Sequence, residues 1–373
     1  MMSTKWWRIL LMLPLLVLLS GCWSNRPVDE RALVLALGFS PAPHGKIRVS
    51  VQIPTRAGLT SLTGGSTSSS SGGPQVYSLS AVGLTPGEAI NQLQGGTQTD
   101  IYLGQTQLLV FSSNLTRQQM LLTQLFLSRL APMDKTAFVV ATPSVKKFFH
   151  ARTASGVIPP LTLSSAFGCN NCTSVNYQQT EWDVETAYPT PGTSIWMPYV
   201  VPTATGFQTD RILVYRGLEP VWALPAQETI LLGYLLGRTG KGYLSLKVGD
   251  QTLGVRMLVA HPDIETKVIG GRLQIRFNLP MTGILDLWTG PPLTPQLDQF
   301  LAHRVDQYLA QHILSVLKQL QVEGTVPGND WLAPLLWRRE PGWKNAAIWE
   351  AKYRQAAVIV HVRFRIIDVG DSN

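Results

Sequence analysis

Charge is scarce in this chain of 373 residues: 14% are Asp, Glu, Lys or Arg, while 45% are hydrophobic. That balance excludes an extended disordered chain, which could not bury enough apolar surface to offset its ordering. The formal charge is +8, yet the basic residues are scattered and nowhere stand four in a row, so a nucleic-acid surface is not expected. Histidine is also sparse. His44, His150, His261, His303, His312 and His361 form no H-E-x-x-H motif and no pair at metal-ligand spacing. His303 and His312 share a helical stretch but lie nine residues apart, which turns them to opposite sides. No G-x-S-x-G elbow, Walker loop or dinucleotide fingerprint occurs. GRTGKG (237–242) lacks the Walker spacing and the Ser or Thr after its lysine, and reads as a turn. The sequence therefore nominates no catalytic residue, no cofactor and no metal site, and an enzyme is a distant reading. After the first 22 residues no second long apolar run appears, so only the N-terminus can be expected to engage a bilayer core.

The N-terminus does carry such a run. Lys5 and Arg8 precede an uncharged stretch from Ile9 to Leu19. Eleven residues rise only about 16 Å as a helix, short of the roughly 30 Å hydrocarbon core. The length suits a secretory leader better than a stable span. In place of an A-x-A cleavage site stands Leu19-Ser20-Gly21-Cys22, which resembles a bacterial lipobox. In such a motif the cysteine sulfur takes a diacylglycerol and the chain is cut just before it. A plain signal peptide or an uncleaved anchor are the other readings. Loss of residues 1–21 would leave 352 residues, enough for two or three domains, and would lower the charge from +8 to +6. A modest positive charge suits a protein held beside anionic lipid headgroups.

Cysteine is nearly absent too. Beyond Cys22 only Cys169 and Cys172 remain, in the segment GCNNC. A redox C-x-x-C usually opens a helix in a βαβ unit, and a zinc site needs two further ligands; neither context is evident here. A local disulfide or two idle thiols is the simpler expectation, with metal or redox use outside the fold core as the alternative.

Along the chain, 32–39 and 46–54 read as a hairpin. In the second strand Ile47, Val49, Val51 and Ile53 alternate with Arg48, Ser50 and Gln52, as in a half-buried strand. GGSTSSSSGG (64–73) has no apolar side chain and reads as a flexible insertion. After a strand at 76–82, Thr85 as N-cap, Pro86 at the first position and Glu88 closing a capping box open a helix that Gly95-Gly96 ends. Strand 100–112, helix 116–132, strand 136–141 and a short helix from Thr142-Pro143 to Phe149 follow. From 151 to 202 the chain is rich in Pro, Gly, Ser, Thr and Asn, as in an irregular connection or a small middle subdomain. A C-terminal α+β domain is expected over 203–373, after an N-terminal one over 22–150. Its elements are a strand at 211–217, a helix at 226–237, strands near 242–249 and 252–260, and a hairpin over Gly270-Gly271. A long helix capped by Thr294 has Leu297, Leu301, Val305, Leu309, Val316 and Leu320 on one stripe. Helices at 330–339 and 342–353 lead to a last strand. There Val358, Val360, Val362, Phe364 and Ile366 face one way and His361, Arg363 and Arg365 the other. Strands and helices mix without regular βαβ alternation, so the fold class expected is α+β, with mixed sheets in two to three domains. Trp343 and Trp349, six apart, either pack in the core or form a partner-facing aromatic surface.

Three stretches in order resemble the Ger(x)C spore-germination lipoproteins, the C subunits of nutrient germinant receptors. They are GCWSNRPVDERALVLALGF, GLTPGEAINQLQGGTQTDIYLGQTQLLVFS and PGWKNAAIWEAKYRQAAVIVHVRFRIIDVG, the last with Trp343, Lys344 and Trp349 in matching places. Ser24 departs from the Asp usual after Cys-Trp, and Pro334 stands where Gly is common. The resemblance implies a three-domain α+β lipoprotein without assigned catalysis, anchored through Cys22 on the outer face of the spore inner membrane. It would work beside A and B type integral-membrane subunits. A free-standing lipoprotein that delivers a solute to a transporter is the alternative. Two similar α/β lobes would mark that class, and the two halves of this chain read as dissimilar.

Overall fold

The computed structural model describes residues 31–55, 58, 75–129, 133–151, 158–169, 177–236, 242–260, 262–326 and 345–367. The leader, Cys22, the 64–73 insertion, Cys172, residues 237–241, the 330–339 stretch and Trp343 lie outside them.

The stretch read as one strand at 32–39 is two: β1 (Arg31–Leu33) and β2 (Ala36–Pro41). They join different sheets, because among the described residues β1 pairs with β5 (Asp100–Tyr102) and not with the strands of β2's sheet. The 100–112 stretch divides in the same way. A single turn at Leu103–Gln105 separates β5 from β6 (Leu108–Ser112), which lies parallel to β2. β3 (Ile47–Pro54) and β4 (Val76–Gly83) add antiparallel strands beyond β2. β7 (Phe138–Thr142) lies parallel to β6 on the other side.

The sheet does not stop there. β8 (Trp196–Pro202) joins β7, and β9 (Phe207–Arg216) and β10 (Glu219–Leu224) extend it to eight strands in the order β10-β9-β8-β7-β6-β2-β3-β4. The 151–202 region is thus more than a connection. It holds α4 (Pro159–Gly168), α5 (Glu181–Ala187) and β8. Residue 202, the expected boundary, falls inside the β8–β9 hairpin, where Pro202 pairs with Phe207.

Helices cover both faces. α1 (Pro86–Gly95) and α2 (Arg117–Arg129) set Ala89, Leu93, Met120 and Leu127 against Phe39, Val49, Val51 and Phe111 on one face. α3 (Val145–Phe149) and α4 set Val145, Phe148, Leu163 and Phe167 against Ala36, Leu108, Val110 and Val140 on the other. Burial on two faces corrects the half-buried reading of β3: Ser50 and Gln52 are buried, and Gln52 donates its Nε2–H to the Phe149 carbonyl at 3.0 Å. Gly38 makes this close approach possible. A Cβ there would stand 2.5 Å from Val145 Cγ1 and 3.0 Å from Phe149 Cζ.

The second sheet is antiparallel but for its last strand. β11 (Gly242–Val248), β12 (Gln251–Ala260), β13 (Asp263–Ile269) and β14 (Arg272–Trp288) follow one another. β13 and β14 turn over Gly270 and Gly271, both at positive φ (57° and 76°), the conformation that a two-residue hairpin turn requires. β15 (Ala357–Ile367) lies parallel to β14 along eleven register pairs. α6 (Ala226–Leu235), the 28-residue α7 (Pro295–Val322) and α8 (Ala346–Arg354) complete this half. The α7 stripe buries Leu301, Val305, Leu309, Ile313, Val316, Leu317 and Leu320 against Leu273, Ile275, Phe277, Leu279 and Met281 of β14. Trp196, Ile212, Val214 and Leu224 of the first sheet belong to that same core. The two sheets therefore share a continuous apolar interior. The architecture is α+β with mixed sheets, as the sequence implied.

Candidate functional site

The sequence-nominated residues that are described do not converge. Cys169 caps the C-terminus of α4 and is disulfide-bonded; its partner lies outside the described residues. Trp349 falls within α8, where the neighbouring Ile348 is exposed and Tyr353 buried. His303 pairs with Gln307 and His312 with the Tyr308 carbonyl, so the two imidazoles serve separate local contacts. Among the described residues no cluster of three potential metal ligands occurs.

What the structure does assemble is a polar cleft of about 510 Å³ beside α3. Its floor is the face of β2, β3 and β4 left uncovered by that helix, carrying Ser40, Arg48, Ser50, Ser78 and Ser80. Register places these together, because Ser40 pairs with Arg48 and Ser50 with Ser80, and cross-strand partners share a face. One wall is α3 with Lys146, Phe149 and His150. The end is closed by Ser112 and Asn114 after β6 and by Pro143-Ser144 after β7. These two loops leave the carboxyl ends of adjacent parallel strands for opposite faces, to α2 and to α3. Such divergence opens a crevice outside the sheet edge, a common location for ligands in α/β sheets.

The electrostatics of the cleft are one-sided. Arg48 and Lys146 are exposed cations, and among the described residues no Asp or Glu lines the space. Among the described residues neither cation forms an ion pair. His150 donates its Nδ1–H to the Lys146 carbonyl at 2.7 Å, which leaves Nε2 as the free ring nitrogen. Sequence reading missed this cleft because Arg48 and Ser50 looked like a solvent face. The available signal was small hydroxyls on successive strands, Ser50 then Ser78 and Ser80, opposite an apolar face.

A second polar feature is buried. Glu181 opens α5 with no exposed surface, and its carboxyl oxygens lack a well-formed hydrogen bond, the Gln124 side chain beside it exerting only the weakest downward pull on its pKa. Burial pushes its carboxyl up to about 8; the Lys135 ammonium pulls it down and the Glu185 carboxylate adds to the rise. Lys135 is itself paired with Glu185 at 2.9 Å and donates to the Leu127 carbonyl at 2.7 Å. The group is locked between α2 and α5 and does not open to the cleft residues.

Comparison with known proteins places this architecture. No curated protein matches the chain. The crystal structure of the GerBC protein matches with a TM-score of 0.58 and 14% identity, over 89% of this chain and 97% of that one. At that identity the likeness concerns the fold. Residues 24–202 match the family described as spore germination protein N-terminal domain. The match ends at Pro202, the boundary expected from sequence, although the sheet continues through β9 and β10. Residues 24–202 thus carry a spore germination protein N-terminal domain, on a chain with the GerBC fold, and together these findings support the resemblance to the Ger(x)C spore germination proteins.

Proposed function

We propose that the chain is the membrane-anchored, non-catalytic C subunit of a nutrient germinant receptor, acting through assembly with A and B type integral-membrane subunits. The observation that carries this reading is the family match from residue 24, which starts two residues after the candidate lipid-bearing Cys22. Among the described residues no helix is long and apolar enough to cross a membrane, so attachment would fall to the N-terminal cysteine. One acyl chain holds a protein marginally and two hold it stably, since each buried methylene contributes about 0.8 kcal/mol. A diacylated Cys22 would place the protein on the outer face of the spore inner membrane. With Cys22 acylated, Cys172 is the thiol left to pair with Cys169, and a disulfide suits a compartment outside the cytoplasm.

The partner surface in this reading includes Trp343 and Trp349, with Ile348 exposed on α8 between them. The solute-delivery alternative gains no support from an eight-stranded mixed sheet joined to a five-stranded one, which are not repeated lobes. The test is co-purification from spore membranes after mild detergent extraction. Tagged wild-type protein should bring down two polytopic subunits, and Trp349→Ala should reduce their yield while the variant stays folded. A tagged protein that extracts alone under every mild condition refutes the proposal.

A further inference from the structure

We infer that the cleft between α3 and the β2–β3–β4 face is a binding site for a small polyhydroxylated organic anion of the sugar-acid class. Three features carry this. The first is charge: among the described residues Arg48 and Lys146 face a space that no carboxylate lines, and neither has an ion-pair partner. A guanidinium without an internal partner presents a fork of donors that matches a carboxylate in bidentate geometry.

The second feature is the density of neutral hydrogen-bonding groups. Ser40, Ser50, Ser78, Ser80 and Ser112, with the Asn114 amide, can each donate and accept, which is what a run of ligand hydroxyls requires. Ser50 and Ser112 are buried at the base of the cleft, so their hydroxyls are held in place by the sheet. A free amino acid fits less well, because its ammonium would find no anionic partner among the described lining residues.

The third feature is shape and support. The volume of about 510 Å³ lies in the range of small-ligand sites. The wall is fixed from behind, since Phe149 is buried and its carbonyl is held by Gln52. Gly38 lets α3 seat directly on β2, so the wall is part of the packed core and not a mobile flap.

The experiment is isothermal titration of the full-length chain in detergent with D-gluconate as the probe. D-glucose supplies hydroxyls without charge, and acetate supplies charge without hydroxyls. Saturable binding of gluconate, at least tenfold tighter than either control, is expected. Arg48→Gln should weaken it at least tenfold with an unchanged near-ultraviolet spectrum. Arg256→Gln, which removes an exposed arginine of β12 remote from the cleft, should leave it unchanged. Absence of saturable gluconate binding, equal binding of either control, or equal binding by Arg48→Gln overturns the assignment. None of these outcomes touches the co-purification of membrane subunits, so the two proposals fail separately.

Discussion

Glu181 shows what one side chain costs when its environment withholds a partner. Its folded carboxyl is raised to about 8, mainly by burial, against an ordinary value of 4.5. Between those values the folded chain keeps a proton that the unfolded chain has released. The unfolded state then binds fewer protons, so stability falls as pH rises through this window and levels off above it. Glu181→Gln keeps the shape without the ionisation. Denaturant midpoints should therefore converge near the acid end and separate in favour of the variant by about pH 8. Parallel pH profiles for the two proteins would contradict the burial argument. Gly38 makes the complementary point about space. Gly38→Val would force side-chain atoms into Val145 and Phe149, at about 1–3 kcal/mol or more, visible as a lowered melting temperature. At this scale the sequence was partly legible. Thr85 and Thr294 cap their helices as read, accepting from Glu88 and Leu297 backbone N–H groups at 3.2 Å. Glu88 departs slightly, its carboxylate accepting from Leu84 at 2.7 Å instead of from the cap residue itself. The burial of Ser50 and Gln52 was not legible, because it depends on a helix nearly a hundred residues away.

Elements that carry their own periodicity were read well, and those defined by distant partners were not. The alternation in β15 places Phe364 in the core and Arg363 and Arg365 outside, as expected, and the stripe of α7 gains Ile313 and Leu317 while Leu297 at its start is only partly buried. The splits within 32–39 and 100–112 left no local mark, since each depends on which sheet the chain joins next. The parallel pairing of β15 with β14 is likewise non-local, closing across α7. A tether holds it there: the Phe364 backbone N–H donates to Asp306 Oδ1 of α7 at 2.5 Å. This occupies one backbone donor on the strand's outer edge, where an unpaired N–H would otherwise invite another chain. Phe364→Ala should cost about 3–5 kcal/mol, because a fully packed aromatic is lost between β14 and α7. Equilibrium unfolding measures it, and a loss below about 1 kcal/mol would show that the strand is not part of the core.

Over the whole molecule, the apolar interior ignores the division suggested by composition. Trp196 of β8 and Val214 of β9 belong to the same apolar cluster as Leu301 and Leu309 of α7, and the Val326 N–H donates to Ser194 Oγ at 3.0 Å. A fragment ending at residue 202 keeps the family-matched region but loses β9 and β10 and bares the edge of β8. Such a fragment should be insoluble or poorly ordered, whereas the chain from residue 31 to the end should unfold cooperatively. A well-dispersed amide spectrum from the shorter fragment would show that the shared core is dispensable. Anchorage also belongs to this scale. Cys22→Ala should leave the precursor unprocessed or release the protein from membranes, and fatty-acid label retained in that variant would place the anchor elsewhere. Confinement by lipid raises the effective concentration beside membrane partners without any new contact.

The central claim is that this chain acts in germination through one receptor assembly. Dipicolinate release from spores lacking it, given each nutrient separately, tests that claim most directly. Release should be slowed or abolished for the nutrients of its own receptor and stay near normal for triggers that bypass receptors. Unchanged release across the whole nutrient panel, with redundant receptors also deleted, would contradict the account.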